Sequence, residues 1–152
     1  MAMNLEYELT YQATLKEALA VGPGPFGTRL VVEVTGGHFE GKRMRGRILT
    51  GGADWLLVGP DGYGRLDVRV QLVTDDGASL YLSYLGVLEM TDKVQAALQT
   101  ASGTEYGDHY FRTAPRFETG DPRYAWLNRT LFVGEGHILP GRTVEYRVYR
   151  VT

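Results

Sequence analysis

Apolar and polar residues alternate with a period of two along most of this chain, and glycine and proline interrupt the alternation at short intervals. Successive side chains of a strand point to opposite faces, so the pattern specifies half-buried strands with one dry and one wet side. In the first segment Leu5, Tyr7, Leu9, Tyr11, Ala13 and Leu15 share a side, with Glu6, Glu8, Thr10, Gln12 and Thr14 opposite. Residues 28–35, 43–49 and 55–58 read as further strands. Leu66, Val68, Val70 and Leu72 form a hairpin with Leu80, Leu82 and Tyr84 around Asp75-Asp76-Gly77. Two last strands, near residues 130–139 and 143–151, join at Pro140-Gly141. Residues 21–27 (VGPGPFG) are expected to be irregular, and Gly36-Gly37 and Pro60-Asp61-Gly62 to turn the chain. Only residues 91–100 (TDKVQAALQT) predict a helix, capped by Thr91 or Asp92, with Val94, Ala97 and Leu98 on one face.

About nine strands and one short helix leave no helical crossovers for parallel pairing, so the sheet is expected to be antiparallel. An open sheet of that size exposes two edges and one apolar face, and closure removes both problems. The expected fold is therefore all-β: a single domain over residues 1–152, a closed antiparallel barrel of eight or nine strands. A barrel of that size has an interior just wide enough for side chains or one small ligand. Composition agrees, since 20 glycines in 152 residues is about 13% against a usual ~7%.

Lys+Arg 16 against Asp+Glu 18 gives a net charge of -2, which offers no basic field to a nucleic acid. Cysteine is absent, so disulfides, thiolate nucleophiles and cysteine metal sites are excluded together. No apolar run is long enough for a membrane helix, and the first residues lack a signal-like pattern; a cytoplasmic protein is expected. His38, His109 and His137 stand apart at no metal-ligand spacing and are expected in turns or at a rim; no metal and no cofactor is expected. The motifs GxSxG, GxxxxGK[ST] and HExxH are missing.

Two stretches are richer in chemistry. In GGADWLLV (51–58) alternation puts Asp54 on the face of Leu56 and Val58, where desolvation raises a carboxyl pKa toward neutrality. The plainer reading is a turn carboxylate bonded to backbone N–H groups or to a neighbouring Arg. In YFRTAPRFETGDPRYAWLN (110–128) five aromatics interleave with charges, and Pro115 and Pro122 predict a structured loop. Such a loop walls a pocket or plugs a barrel end. Glu118, Arg112 and Asn128 are its first candidates for a functional role.

These two segments, with VGPGPFGTR upstream and TDDGASLYLSYLG between them, resemble an uncharacterised bacterial family of small proteins carrying a domain of unknown function. The resemblance runs from about Leu5 to Val151 and implies a closed barrel of the lipocalin-like or allene-oxide-cyclase-like kind, often oligomeric. Arg47, Asp54, Trp55, Tyr84, Tyr110, Arg112, Glu118, Trp126 and Asn128 are among the positions matching its motifs.

Two functions are then open. The first is a cofactor-independent isomerase, cyclase or lyase acting on a small apolar carbonyl-type substrate. There Asp54 moves the proton, with Arg47 and Glu118 in the catalytic set. Arg47, Arg112 or Tyr84 holds the oxyanion, while Trp55, Tyr84, Tyr110, Arg112, Trp126 and Asn128 contact the ligand. The second is a non-catalytic carrier of a small hydrophobic molecule. A homo-oligomer is expected in either case.

Overall fold

The computed structural model describes residues 2–152. Ten strands form one sheet: β1 (Leu5–Leu15), β2 (Leu19–Gly24), β3 (Gly27–Gly41), β4 (Arg45–Ile48), β5 (Ala53–Val58), β6 (Tyr63–Thr74), β7 (Ser79–Glu89), β8 (Phe111–Glu118), β9 (Phe132–Leu139) and β10 (Thr143–Val151). Helix α1 (Asp92–Thr100) and a 3₁₀ segment (Pro122–Arg129) are the helical parts. Every pairing is antiparallel, and the β1–β3 pairing closes the path β1-β10-β9-β8-β7-β6-β4-β3 into a ring. β5 shares the place of β4 between β3 and β6, while β2 extends β3 beside the ring. The closed antiparallel barrel of the sequence reading is the fold. No helix among the described residues is long and apolar enough to cross a membrane.

Alternation fills the barrel as expected from the sequence, with β6 and β8 strictly alternating between buried and more exposed positions over most of their length. Thr91 caps α1 by accepting a hydrogen bond from the Val94 N–H at 3.1 Å, and the helix buries Val94 and Ala97 over one barrel end.

Three local expectations fail for identifiable reasons. Gly36-Gly37 does not turn the chain; β3 runs straight through it while exchanging partners from β2 and β5 to β1 and β4. Gly37 (φ 137°) lies so close to β1 that a Cβ there would sit 2.0 Å from the Gln12 carbonyl oxygen. The expected irregular stretch is partly strand β2, whose pairing with β3 skips between Ala20 and Gly22. The expected loop over residues 110–128 is strand β8 followed by the 3₁₀ segment. β8 passes through Pro115 because β9 pairs with it only at Arg112 and Thr113, and a strand with an open edge tolerates a residue without an N–H.

The interior divides into two halves. At one end Phe39, Leu72, Leu127 and Phe132 are fully or almost fully buried, and Phe117 meets Phe132 edge-on at 5.1 Å. The 3₁₀ segment closes that end, with Trp126 held under the Arg43 guanidinium at 3.5 Å. The other end, below α1, is hollow.

Candidate functional site

The hollow half encloses a cavity of about 550 Å³. Its walls are inward positions of β1, β3 and β5 to β10, chiefly valine and leucine, with α1 at the mouth. A volume of this order suits one small organic molecule.

Asp54 is the carboxylate set among these apolar walls. Its register neighbours are Val32 on β3 and Val68 on β6, both cavity-lining. The β5–β6 ladder lacks the pairs between Asp54–Val68 and Leu57–Arg65, and there the Asp67 N–H donates to Asp54 Oδ1 at 3.0 Å. One carboxyl oxygen is thus anchored to the backbone, as the plainer reading of this residue expected, while Oδ2 makes no hydrogen bond among the described residues. Desolvation dominates its titration: burial lifts the pKa from 3.8 to about 7, against the Asp67 N–H bond, which lowers it.

Three tyrosines form the floor. Tyr11, Tyr84 and Tyr146, from β1, β7 and β10, meet with ring centroids 6.3, 5.7 and 5.4 Å apart. Tyr84 and Tyr146 line the cavity. Burial raises all three phenol pKa values well above 10, and the charge of Asp54 adds to the rise at Tyr84 and Tyr146. The phenols therefore stay protonated and serve as hydrogen-bond donors. Tyr11 Oη is buried beside Tyr84 and lacks a partner of hydrogen-bonding geometry. Tyr84 stands two strands from Asp54 in the same row, through Val68, or about 10 Å between backbones.

Of the residues singled out in the sequence, Asp54 and Tyr84 share this cavity; the others lie elsewhere. Arg47 and Glu118 occupy outward positions of β4 and β8, next to inward Ile48 and Phe117. Arg112 is likewise exposed and lies 5.2 Å over the ring of exposed Tyr110. Trp55 follows inward Asp54 and so faces out, 41% exposed. Trp126 lies at the closed end, and Asn128 binds the N–H and carbonyl of Thr119 at 2.8 and 2.9 Å, tying the 3₁₀ segment to β8. The expected meeting of Asp54 with Arg47, Glu118 and Trp126 does not occur, because strand alternation sends the first two outward and barrel closure puts Trp126 at the other end.

The histidines also depart from expectation. His109 and His137 are buried around Thr104: His109 Nε2 lies 2.8 Å from its Oγ1, and His137 Nδ1 lies 2.9 Å from its carbonyl oxygen. His137 Nε2 meets Glu145 at 2.8 Å under the stacked Tyr106 ring, outside the barrel wall. No cluster among the described residues has the composition to hold a metal ion. Tyr146 and Tyr11 are the site residues that the sequence reading did not assign. Both stand on the apolar side of alternating strands, which is the signal that marks them.

A closed antiparallel barrel with the half-buried Asp54 carboxyl on the wall of an apolar chamber defines the class of this protein. The chain belongs to the protein family of unknown function DUF3237, whose family model matches residues 3–151. The UPF0311 protein RPA1785 of Rhodopseudomonas palustris is 32% identical over 132 residues, covering 87% of this chain and 86% of that protein. Its crystal structure superposes with a TM-score of 0.89 over 100% of this chain and 99% of that one, at 30% identity. More distant is the PR-toxin biosynthesis cluster protein 7 of Penicillium roqueforti, 27% identical over 149 residues and covering 84% and 79% of the two chains. A solved enzyme from Penicillium herquei shares the fold, with a TM-score of 0.73 at 22% identity over 100% and 96% of the two chains.

Proposed function

We propose that this protein is a cofactor-independent isomerase, cyclase or lyase that moves a proton on a small, mostly apolar substrate bearing a carbonyl-type group. The observation that carries this reading is the Asp54 carboxyl, lifted to about 7 inside the apolar cavity that Tyr84 and Tyr146 floor. A base poised near neutrality is the protonation state that proton transfer needs. The Asp54 carboxylate removes a proton from the carbon next to the carbonyl; the electron pair of that C–H bond forms the C=C bond of an enolate, and the carbonyl π pair moves onto the oxygen. The Tyr84 and Tyr146 hydroxyls donate hydrogen bonds to the resulting oxyanion. Asp54 then returns the proton to the same or a neighbouring carbon. Arg47 and Arg112, on the outer face, take no part in this scheme, and the phenols assume the oxyanion role. The kinship with a fungal protein named for a biosynthesis cluster is in keeping with chemistry on a small organic molecule.

Solvent exchange tests the proposal without knowledge of the natural substrate. Bicyclic ketones such as 2-tetralone, incubated with the protein in D₂O, are expected to gain deuterium beside the carbonyl faster than in buffer. The rate rises with pH as Asp54 ionises and levels above about 7. Asp54→Asn is expected to lower the enzyme-dependent rate on the order of 100-fold or more. Equal exchange by wild type and Asp54→Asn removes Asp54 from the mechanism. Saturable ketone binding with no exchange above buffer identifies a carrier instead.

A further inference from the structure

Arg142 is the arginine on the cavity wall. Leu139 pairs with Thr143, so the β9–β10 connection is a three-residue loop of Pro140, Gly141 and Arg142, with φ of 84° at Gly141 and 53° at Arg142. A left-handed last residue is ordinary in such a loop, and it fixes where the arginine leaves the turn. The turn is held on both sides: the Leu15 N–H donates to the Arg142 carbonyl and the Gly141 N–H to the Ala101 carbonyl, each at 2.8 Å. Arg142 is therefore held between β1 and the end of α1, at the cavity mouth.

The surrounding charges leave this guanidinium available. Arg43, Arg45, Arg65, Arg123, Arg147 and Arg150 each meet a carboxylate. Arg142, like Arg47, Arg69, Arg116 and Arg129, has no ion pair or side-chain hydrogen bond among the described residues, and of these it is the one on the cavity wall. Lys16, the other cation on the cavity wall, is held by Glu33 at 2.8 Å. Glu17 is exposed at the same mouth and lies outside ion-pair distance of Arg142. From its place just before β10, Arg142 precedes cavity-lining Tyr146 by four residues, or about 13 Å of extended chain.

We propose that Arg142 binds the anionic end of the cavity's ligand, so that the ligand is an amphipathic organic anion. Its carboxylate or similar planar anion sits at the mouth, and its apolar body extends toward Asp54. This specificity rests on the reading of the cavity as a ligand site. A guanidinium presents parallel N–H donors that match a carboxylate, and half-burial strengthens the pair.

Two dyes that differ by one anionic group test the assignment: 1-anilinonaphthalene-8-sulfonate and its neutral parent N-phenyl-1-naphthylamine, both fluorescent in apolar surroundings. Wild type is expected to bind both. Arg142→Gln is expected to weaken the sulfonate dye at least 10-fold while changing the neutral dye less than twofold. Arg142→Lys is expected to recover part of the loss, and Arg116→Gln, on the outward side of β8, to leave both dyes as in wild type. Arg142→Gly relieves the positive φ, so Tm is expected to rise by about 2–4 °C even as sulfonate binding falls. A variant that loses binding while gaining stability has not simply misfolded. Equal weakening of both dyes by Arg142→Gln, or an equal sulfonate loss in Arg116→Gln, overturns the role of Arg142 and leaves the cavity reading standing. A wild type that binds neither dye overturns both.

Discussion

The two halves of this barrel share the same strands and the same alternation, yet one is filled and the other hollow. Along β3, Phe39 fills the closed half, while Thr28, Leu30 and Val32 line the open one. Along β1, Leu9 is fully buried on the closed side and Ala13 and Leu15 border the cavity. The tyrosine floor separates the two. The caps differ as well: the 3₁₀ segment buries Tyr124 and Leu127 at the closed end, while α1 covers the cavity with Ala97 and Leu98. Alternation decides which side chains enter the barrel, but side-chain volume decides whether they meet across it. Where they fall short, an apolar space remains in which a carboxyl loses its water, and that loss tunes Asp54.

Phe39→Ala is the harshest challenge to this contrast. It is expected to cost about 3–5 kcal/mol in urea unfolding, since a packed half collapses poorly around a missing ring. A cost below about 1 kcal/mol shows that the closed half is loosely filled.

Asp54→Asn comes next and works in the opposite direction. The folded pKa of about 7 lies above the ordinary 3.8, so the folded state holds a proton that the unfolded chain releases. Wild-type stability therefore falls as pH rises from about 4 to 7, by up to about 4 kcal/mol. The asparagine variant lacks this slope and is expected to be the more stable protein at pH 8, with the gap closing by pH 4. Parallel stability curves for the two proteins place the carboxyl in water.

On the hollow side, Val32→Ala removes a side chain that already borders space and is expected to cost less than about 1 kcal/mol. A cost like that of Phe39→Ala shows the cavity closed in solution. An effect of similar size and opposite sign is expected for Tyr11→Phe, which deletes a buried hydroxyl without a hydrogen-bond partner and gains about 1 kcal/mol. Destabilisation there reveals a hydrogen bond to Tyr84 that stiffens the floor.

Much of this was legible in the chain. Asp54 stands out because it precedes Leu56 and Val58 at strand spacing, and the structure puts all three on the cavity wall. The same rule, followed strictly, sends Trp55 outward, and it sends Arg112 and Glu118 to the side opposite Phe111 and Phe117. Aromatic and charged density in the 110–128 stretch leaves a pocket wall and a barrel plug both open; Phe111 borders the cavity, while the 3₁₀ segment closes the filled end. Local composition carries no record of which barrel end a segment reaches. Arg142 was equally silent, since its distinction lies in its place at the cavity mouth.

What the sequence by itself determined is most of the strands and the side their residues face, because both follow from a backbone period of two and from where glycine and proline interrupt it. Tertiary structure decided that Asp54, Tyr84 and Tyr146 look into one chamber, and that the chamber is empty. Those three residues stand on β5, β7 and β10, and only closure through β1 and β3 brings their strands around a common space. Whether that space is filled depends on the summed volume of side chains reaching it from all around the ring, a quantity no single segment contains.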